Sequence, residues 1–243
     1  MTSSFHPFRG PVAAIALVLG LFSISRPSAA SVAATSSPGP DATAAVDLSG
    51  YRRVLHVDRA LGDDIKGDGT KAKPLASVMQ ALEAAGKPDA STRVAILVSQ
   101  GHYAEPTFVL KSGVDLYGGF AAPGGERDTY RFPSILDGAE RQRIAIGADN
   151  ARLDGFRLVN GRVRGKGAAL LCDGTSPTIA NCVFTQNRTL VPLPWDPPLL
   201  HETAHDGGAI MCLNGAAPRI EHNLFYGNST ECGRGAALSL IHI

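Results

Sequence analysis

The chain has 243 residues, enough for one or two domains, and its 23 basic and 22 acidic residues give a formal net charge of +1. A chain so evenly balanced has no basic field to attract nucleic acid or anionic lipid, so we expect no nucleic-acid partner. Glycine is abundant, with 27 residues, whereas aromatic residues make up only 6%. This composition favours a β-rich fold with many tight turns over a helical bundle.

The first 30 residues have the pattern of a signal peptide. Arg9 precedes an apolar run over residues 12–22, and a cleavage signal of small residues follows at 28–30, with a rival at 32–34. The apolar run is shorter than the roughly 20 residues that a membrane-spanning helix needs. We therefore expect an extracellular or periplasmic protein, secreted or on the cell surface, with no membrane span in the mature chain. An uncleaved anchor is the alternative.

Residues 31–50 consist mainly of Ala, Ser, Thr, Pro and Gly, which supply little that could fill a core. This composition predicts a flexible linker between the signal peptide and a folded domain over residues 51–243.

The folded part begins with a strand at residues 54–57 and a turn-rich polar loop at 62–70. Leu75, Val78, Leu82 and Ala85 then fall on one face of a short helix, which Gly86 would end. After the helix, short apolar runs predict buried strands. These runs cover residues 94–98, 114–117 and 144–146.

An internal repeat fixes the architecture. Residues 167–170, 177–179 and 184–187 match residues 208–211, 218–220 and 225–228 at an offset of 41, and residues 188–206 look like an insertion within that span. Residues 153–158 match 179–184 at an offset of 26. A repeat of this length buries its apolar side only by stacking on its neighbours, so the sequence predicts a solenoid.

Stacking should place Leu158, Phe184 and Phe225 above one another in the interior. We expect Asn187 and Asn228 at turns, in the left-handed conformation that Asn tolerates, with their amides bonded to the neighbouring coil. The Gly-Ala pairs at the start of each repeat should let the chain bend tightly into the next strand.

Short motifs occur along the chain at residues 56–58, 67–70, 77–85, 101–103, 115–120, 135–138 and 153–156. Together they resemble secreted bacterial right-handed parallel β-helix proteins of the pectate-lyase-like superfamily. Residues 207–210, with Phe-x-x-Asn at 184–187 and 225–228, also resemble the repeats of chlamydial polymorphic outer-membrane proteins. The resemblance covers residues 54–238 and implies the fold, but one solenoid serves lyases, hydrolases and adhesins alike.

Residues 201–205 match H-E-x-x-H, in which two histidines on a helix bind zinc and the Glu acts as base. Four prolines precede the motif and two glycines follow it, which leaves little room for a helix. We favour a polar insertion that matches by chance.

Other candidate residues are carboxylates and cations in turns or strands. Asp63, Asp64 and Asp68 lie among glycines and make Ca²⁺ the one possible cofactor, but a solvated turn is the favoured interpretation. Asp154, Asp173 and Arg157 are expected on exposed strands or turns. No catalytic set maps onto consecutive coils, so the sequence assigns no catalytic or metal-binding residue.

Four cysteines, at 172, 182, 212 and 232, lie in the repeat region. If the chain is exported, disulfides are allowed, and three pairings are open. Cys172 and Cys212 occupy nearly equivalent positions in adjoining coils and are the best candidates for a bridge, with buried free thiols as the alternative.

The last repeat opens at residues 235–238 and the sequence stops five residues later, so we expect the solenoid to be incomplete at its C-terminus. The leading hypothesis is a secreted or cell-surface β-helix, a monomer, that binds a polysaccharide or another surface. The alternative is a polysaccharide lyase or glycoside hydrolase, which a cluster of Asp, Arg or Lys on consecutive coils of one sheet would favour.

Overall fold

The computed structural model describes residues 40–43, 45–88, 91–191, 206–231 and 233–240. In this part of the chain one helix, α1 (Val78–Ala84), accompanies 19 strands. The strands are β1 (Arg53–Val57), β2 (Val94–Ser99), β3 (Gly101–Tyr103), β4 (Phe108–Val109), β5 (Val114–Phe120), β6 (Ser134–Asp137), β7 (Ala145–Ile146), β8 (Arg152–Asp154), β9 (Phe156–Val159), β10 (Arg162–Val163), β11 (Leu170–Asp173), β12 (Thr178–Ala180), β13 (Val183–Thr185), β14 (Arg188–Thr189), β15 (Ile210–Leu213), β16 (Arg219–Glu221), β17 (Leu224–Tyr226), β18 (Ser229–Thr230) and β19 (Leu238–Leu240).

The strands assemble into four sheets in which every pairing is parallel. Sheet 1 has the order β1-β2-β5-β8-β12-β16, sheet 2 the order β17-β13-β9-β6-β3, sheet 3 the order β10-β14-β18, and sheet 4 the order β19-β15-β11-β7-β4. A complete coil visits all four sheets in turn, as β11, β12, β13 and β14 do. The chain is therefore a parallel β-helix, as the repeat predicts.

The core consists of ladders of side chains from successive coils. Ile179 lies beside Leu153, and Phe184 lies beside Leu158, which confirms the 26-residue offset. Phe184 also lies beside Phe225, with ring centroids 4.8 Å apart and planes inclined by 8°. Each coil thus buries its apolar side against the next, and this stacking supplies most of the hydrophobic stabilisation.

Glycines bend the chain before three of the five strands of sheet 4, namely β11, β15 and β19. Gly167, Gly207 and Gly235 have φ of 62°, 70° and 69°, and a Cβ on any of them would lie within 2.4 Å of the carbonyl oxygen three residues on. The predicted bends are therefore confirmed. The structure corrects the alignment by one residue, because Gly167 corresponds to Gly207, and Leu170 pairs with Ile210 at an offset of 40.

Asn187, which is buried, and Asn228, which is half-buried, form a ladder of side-chain amides rather than left-handed turns. The left-handed residues are their predecessors, Gln186 and Gly227, with φ of 56° and 63°. The Asn187 amide donates to the Leu158 carbonyl at 3.0 Å and to the Asn228 Oδ1 at 2.9 Å. The predicted bonding between coils is confirmed, but the predicted backbone conformation is wrong, because a neighbouring residue makes the turn and frees the amide to point inward.

Helix α1 is shorter than the sequence pattern predicts. Leu75 forms a parallel bridge with Val57 instead of starting the helix, and Ser77 is the N-cap, its Oγ accepting from the Gln80 N–H at 3.1 Å. Glu105 completes the cap, because its two carboxylate oxygens accept from the backbone N–H groups of Val78 and Met79, each at 2.8 Å. The apolar face of α1 packs on β1 and β2. No helix in the described ranges is long and apolar enough to cross a bilayer.

Within the predicted linker, part of the chain contacts the β-helix. Val46 and Leu48, together with Tyr51, pack on the outer side of sheet 1, against Leu97 and Phe120. The Ala42 carbonyl accepts from the Thr129 N–H at 2.9 Å. We call the described residues between 40 and 51 the strap. The segment predicted to be a signal peptide lies outside the described residues, and both this assignment and the boundaries of the linker stay predictions.

Candidate functional site

Polar side chains form a cluster on the outer face of sheet 1, beneath the strap. Asp115 and Tyr117 project from β5, while Arg152 and Asp154 project from β8 in register with them. We call these four residues the polar cluster. It lies on consecutive coils of one sheet, which is the arrangement expected of an enzyme in this fold.

Both carboxylates of the polar cluster accept hydrogen bonds from other side chains of the protein. Asp154 accepts from Arg127 at 2.6 Å, from Arg152 at 3.0 Å and from Asn181 at 3.1 Å. Asp115 accepts from Arg93 and from the hydroxyl of Tyr51 on the strap. Asp115 is 2% exposed and Asp154 is 5% exposed. Buried and bonded in this way, they stabilise the coils and hold the strap, and they offer no open group to a substrate.

The strap also changes the acidity of the tyrosines in this region. Burial raises the pKa of Tyr51 above its ordinary value, and its hydrogen bond to Asp115 raises it further. Burial likewise raises the pKa of Tyr117, whose hydroxyl lies 2.8 Å from that of Tyr51. Both phenols therefore stay protonated at neutral pH and act as hydrogen-bond donors.

Sheet 2 carries an exposed histidine held by a buried carboxylate. The His102 Nε2 lies 2.5 Å from the Asp137 Oδ2, with side chains 59% and 9% exposed. The other Asp137 oxygen accepts from the Ala139 N–H at 2.7 Å and from the Asn160 amide at 3.1 Å. A carboxylate fixed in this way orients the imidazole while leaving its other nitrogen open to solvent.

A groove follows the outer face of sheet 3 and crosses several coils. One section, of about 300 Å³, is lined by residues of three coils, including Asn160, Gln186 and Ser229. A second section, of about 630 Å³, shares Glu140 and Arg162 with the first. We call both sections together the arginine groove, after five lining residues. These are Arg141, Arg143, Arg162, Arg164 and Arg188.

The arginines follow the stacking of the coils. Arg162 on β10 lies beside Arg188 on β14, and Ser229 on β18 continues the row. Adjacent strands of a sheet are about 4.8 Å apart, so the groove presents one polar side chain per coil at that interval. Arg143 has a supporting role, because its guanidinium donates to the carbonyls of Lys166 and Gly167 at 2.8 and 2.9 Å. Burial lowers its pKa.

Positive charge is concentrated in the groove. Two acidic residues neighbour the five arginines: Glu140, 3.4 Å from Arg162, and Glu231, 2.6 Å from Arg188. The local surplus is three positive charges in a chain whose total is +1. The Val191 N–H, and after it Arg188, Arg162 and Arg164, lower the pKa of Glu231. Within the described residues, the Arg141 side chain has neither a hydrogen bond nor an ion pair.

The three aspartates that are candidate calcium ligands bond to the backbone of their loop, as the favoured interpretation of a polar turn expects. The Asp63 carboxylate accepts from the N–H groups of residues 65 and 66, Asp64 from those of 76 and 77, and Asp68 from that of Thr70. Such bonds are typical of Asx turns and of a helix start. Among the residues that the structure describes, no group of three or more His, Cys, Asp or Glu side chains is arranged to hold a metal ion.

The other candidate site residues from the sequence do not lie together in one site. Asp154 belongs to the buried polar cluster instead of lying exposed, because Arg127 folds back over it from the loop between β5 and β6. Asp173 is exposed and accepts from the Asn214 amide, and Arg157 is half-buried on sheet 2. The H-E-x-x-H segment at 201–205 lies outside the described residues.

Sequence reasoning missed the arginine groove, although a signal was present. Arg162 and Arg188 are 26 residues apart, which is the repeat offset of the coils that carry them. Residues at this offset share a position on successive coils, so a recurring arginine indicates a row. His102 and Asp137 gave no such signal, because one lies on β3 and the other at the end of β6.

The fold and the groove define the class: a parallel β-helix protein with a polar, positively charged groove across its coils. A family model described as "Protein of unknown function (DUF1565)", a family associated with β-helix proteins, matches residues 60–191. These 132 residues are more than half of the chain, which therefore belongs to this family. No curated protein and no solved structure gave a match. The matched segment contains all five groove arginines.

Proposed function

We propose that the protein is a secreted or cell-surface β-helix that binds an acidic polysaccharide in the arginine groove. The observation that carries the proposal is the row of Arg162 and Arg188 on adjacent coils. Guanidinium groups bind carboxylates and sulfates through paired hydrogen bonds, so the row can hold acidic groups of a ligand that lies along the solenoid axis.

The neutral residues of the groove favour a glycan over a nucleic acid. Asn160, Gln186 and Ser229 supply amides and a hydroxyl that can bond to sugar hydroxyls. Proteins that bind single-stranded nucleic acid stack its bases on aromatic side chains, and no aromatic residue lines the described groove. An export signal at the N-terminus would place the protein where polysaccharides are the abundant polyanions.

The test is the affinity of the full chain for a panel of glycans by isothermal titration calorimetry. We expect binding to a polyuronate that weakens with added salt, and little binding to the same polymer after reduction of its carboxyl groups. Arg162→Gln and Arg188→Gln should each weaken binding about tenfold, because each removes a charge-assisted hydrogen bond.

The matched control is Arg219→Gln. Arg219 lies on sheet 1 and, like Arg188, forms an exposed ion pair with a glutamate, here Glu221 at 2.7 Å. This variant should bind as the wild type does. Equal affinity for the carboxyl-reduced polymer, equal losses in all three variants, or tighter binding of a DNA oligonucleotide would each refute the proposal.

A polysaccharide lyase or glycoside hydrolase is the second candidate, and the pair of His102 and Asp137 favours it. Asp137 bonds to Asn160, which lines the groove, so two residues, Asp137 and Asn160, connect the exposed imidazole to the groove. Such an imidazole can exchange a proton with a substrate. If this candidate is correct, the wild type releases new reducing ends or an unsaturated product from the polyuronate, and His102→Gln abolishes this without loss of binding.

A further inference from the structure

We propose that Cys172 and Cys212 form a disulfide that joins two neighbouring coils of the β-helix. The inference is independent of the proposed function. It rests on the pairing of the two residues in adjacent strands of sheet 4 and on the burial of both side chains.

The two cysteines are direct partners in adjacent parallel strands. Cys172 on β11 pairs with Cys212 on β15 in the middle of a register that runs without interruption from Leu170 to Asp173. Neighbouring strands lie about 4.8 Å apart, which is inside the range of about 4.4–6.8 Å between Cα atoms that disulfides span. Both side chains point into the core, with exposures of 0% and 2%. Residues in this register reach one another by rotation of the side chains, with little backbone movement.

Both thiols are free and buried in the structure, and they affect each other's acidity. The interaction between the two side chains raises the pKa of Cys172 and lowers that of Cys212. Cys212 is therefore the sulfur that ionises first and acts as the nucleophile. Burial of Cys172 raises its pKa further, so it is the second sulfur to react.

The third described cysteine has different partners. Cys182 lies between β12 and β13, and its thiol donates to the carbonyl of Ala180 at 3.1 Å and that of Leu153 at 3.6 Å. Burial raises its pKa to about 12. It therefore serves as an internal control that stays reduced.

The oxidation requires a disulfide oxidant, such as glutathione disulfide or an oxidised thiol oxidoreductase. The Cys212 thiolate attacks one sulfur of the oxidant, forms a mixed disulfide and releases one reduced thiol. The sulfur of Cys172 loses its proton and attacks the mixed disulfide at Cys212, which releases the second reduced thiol. Two protein thiols are oxidised and one oxidant disulfide is reduced to two thiols. Because both sulfurs are buried in the closed coil, the exchange takes place while β15 docks on β11.

The disulfide would close a loop that contains the insertion between the two coils. The cysteines are 40 residues apart, and residues 192–205 fall between them. A cross-link over a loop of this length restricts the unfolded chain, so it should raise the melting temperature of the protein by about 10 °C.

The test is a peptide map of the full chain refolded in a buffer of reduced and oxidised glutathione. Free thiols are blocked with iodoacetamide under denaturing conditions without reductant, and the chain is cut with trypsin and Asp-N. Asp173 separates Cys172 from Cys182 in this digest. We expect peptide 167–172 linked to peptide 206–219, with Cys182 alkylated.

Reduction with dithiothreitol should remove the linked peptide and lower the melting temperature by about 10 °C. Cys182→Ala should keep this dependence on reductant, and Cys172→Ala should lose it. Alkylation of both Cys172 and Cys212 in the wild type, or linkage of Cys212 to Cys182 or Cys232, would overturn the proposal. The map uses the wild-type chain, so it decides the question even if a variant does not fold.

Discussion

Replacing Asp154 by Asn should strongly destabilise the protein while leaving its fold intact. The Asp154 carboxylate is the partner of Arg127, and the two side chains are 7% and 6% exposed. Asn has the same shape but no charge, so the buried Arg127 guanidinium loses its ion pair with the Asp154 carboxylate, 2.6 Å away. The positions of Arg152 and Asn181, which also bond to Asp154, depend on the same carboxylate.

The expected magnitude follows from burial. Removing one partner of a buried ion pair typically costs about 3–5 kcal/mol, because the remaining charge is shielded from water. For a domain of this size, that cost lowers the melting temperature by roughly 10 °C. An exposed ion pair contributes no more than about 1 kcal/mol, because water and salt screen it.

Urea unfolding followed by circular dichroism measures the difference. The matched control is Glu126→Gln, which breaks the exposed pair between Glu126 and Arg131, 3.1 Å apart with side chains 62% and 64% exposed. Asp154→Asn should lower the free energy of unfolding by about 3–5 kcal/mol, and the control by less than about 1 kcal/mol. A loss below about 1 kcal/mol for Asp154→Asn would refute the argument that this cluster holds the coils together.

Three further substitutions test other parts of the fold by the same urea unfolding. Phe184→Ala removes the buried side chain that packs between Leu158 and Phe225 and should cost about 3–5 kcal/mol. Asn187→Leu leaves the Leu158 carbonyl and the Gly161 N–H without their partner, which should cost about 2–3 kcal/mol. Burial raises the pKa of Glu105 above its ordinary value of 4.5, so its contribution to stability is complete below about pH 4.5 and is lost as the pH rises through the raised value. Glu105→Gln should therefore flatten the decline in the free energy of unfolding as the pH rises above about 4.5, and an unchanged pH profile would contradict this argument.

The repeat was the most informative part of the sequence. Stacking requires equivalent residues at equal intervals, so the offset of 26 residues between Leu153 and Ile179 predicted their pairing in the sheet. A coil gains one residue in the turn between Leu213 and Arg219, so the offset changes there from 40 to 41. An alignment with one constant offset is therefore displaced by one residue before that turn. Asn187 was placed correctly on the neighbouring coil, but its backbone conformation depends on which of two adjacent residues makes the turn.

The polar cluster and the strap could not be predicted in this way. Asp154 alone looks like a surface carboxylate, and its burial depends on Arg127, which lies in a loop outside the repeat. Tyr51 reaches Asp115 only because the strap lies across sheet 1. Contacts between a repeat and a non-repeating segment leave no periodic signal. The arginine groove is the opposite case, because its two in-register arginines have the repeat offset and could have been recognised.

A crystal structure of the protein with a bound acidic oligosaccharide is the most direct test of the central claim. The account predicts density along sheet 3, across β10, β14 and β18, with acidic groups of the ligand facing the guanidinium groups of Arg162 and Arg188. A ligand bound instead on the outer face of sheet 1, or no ligand at a concentration that saturates binding in solution, would contradict it.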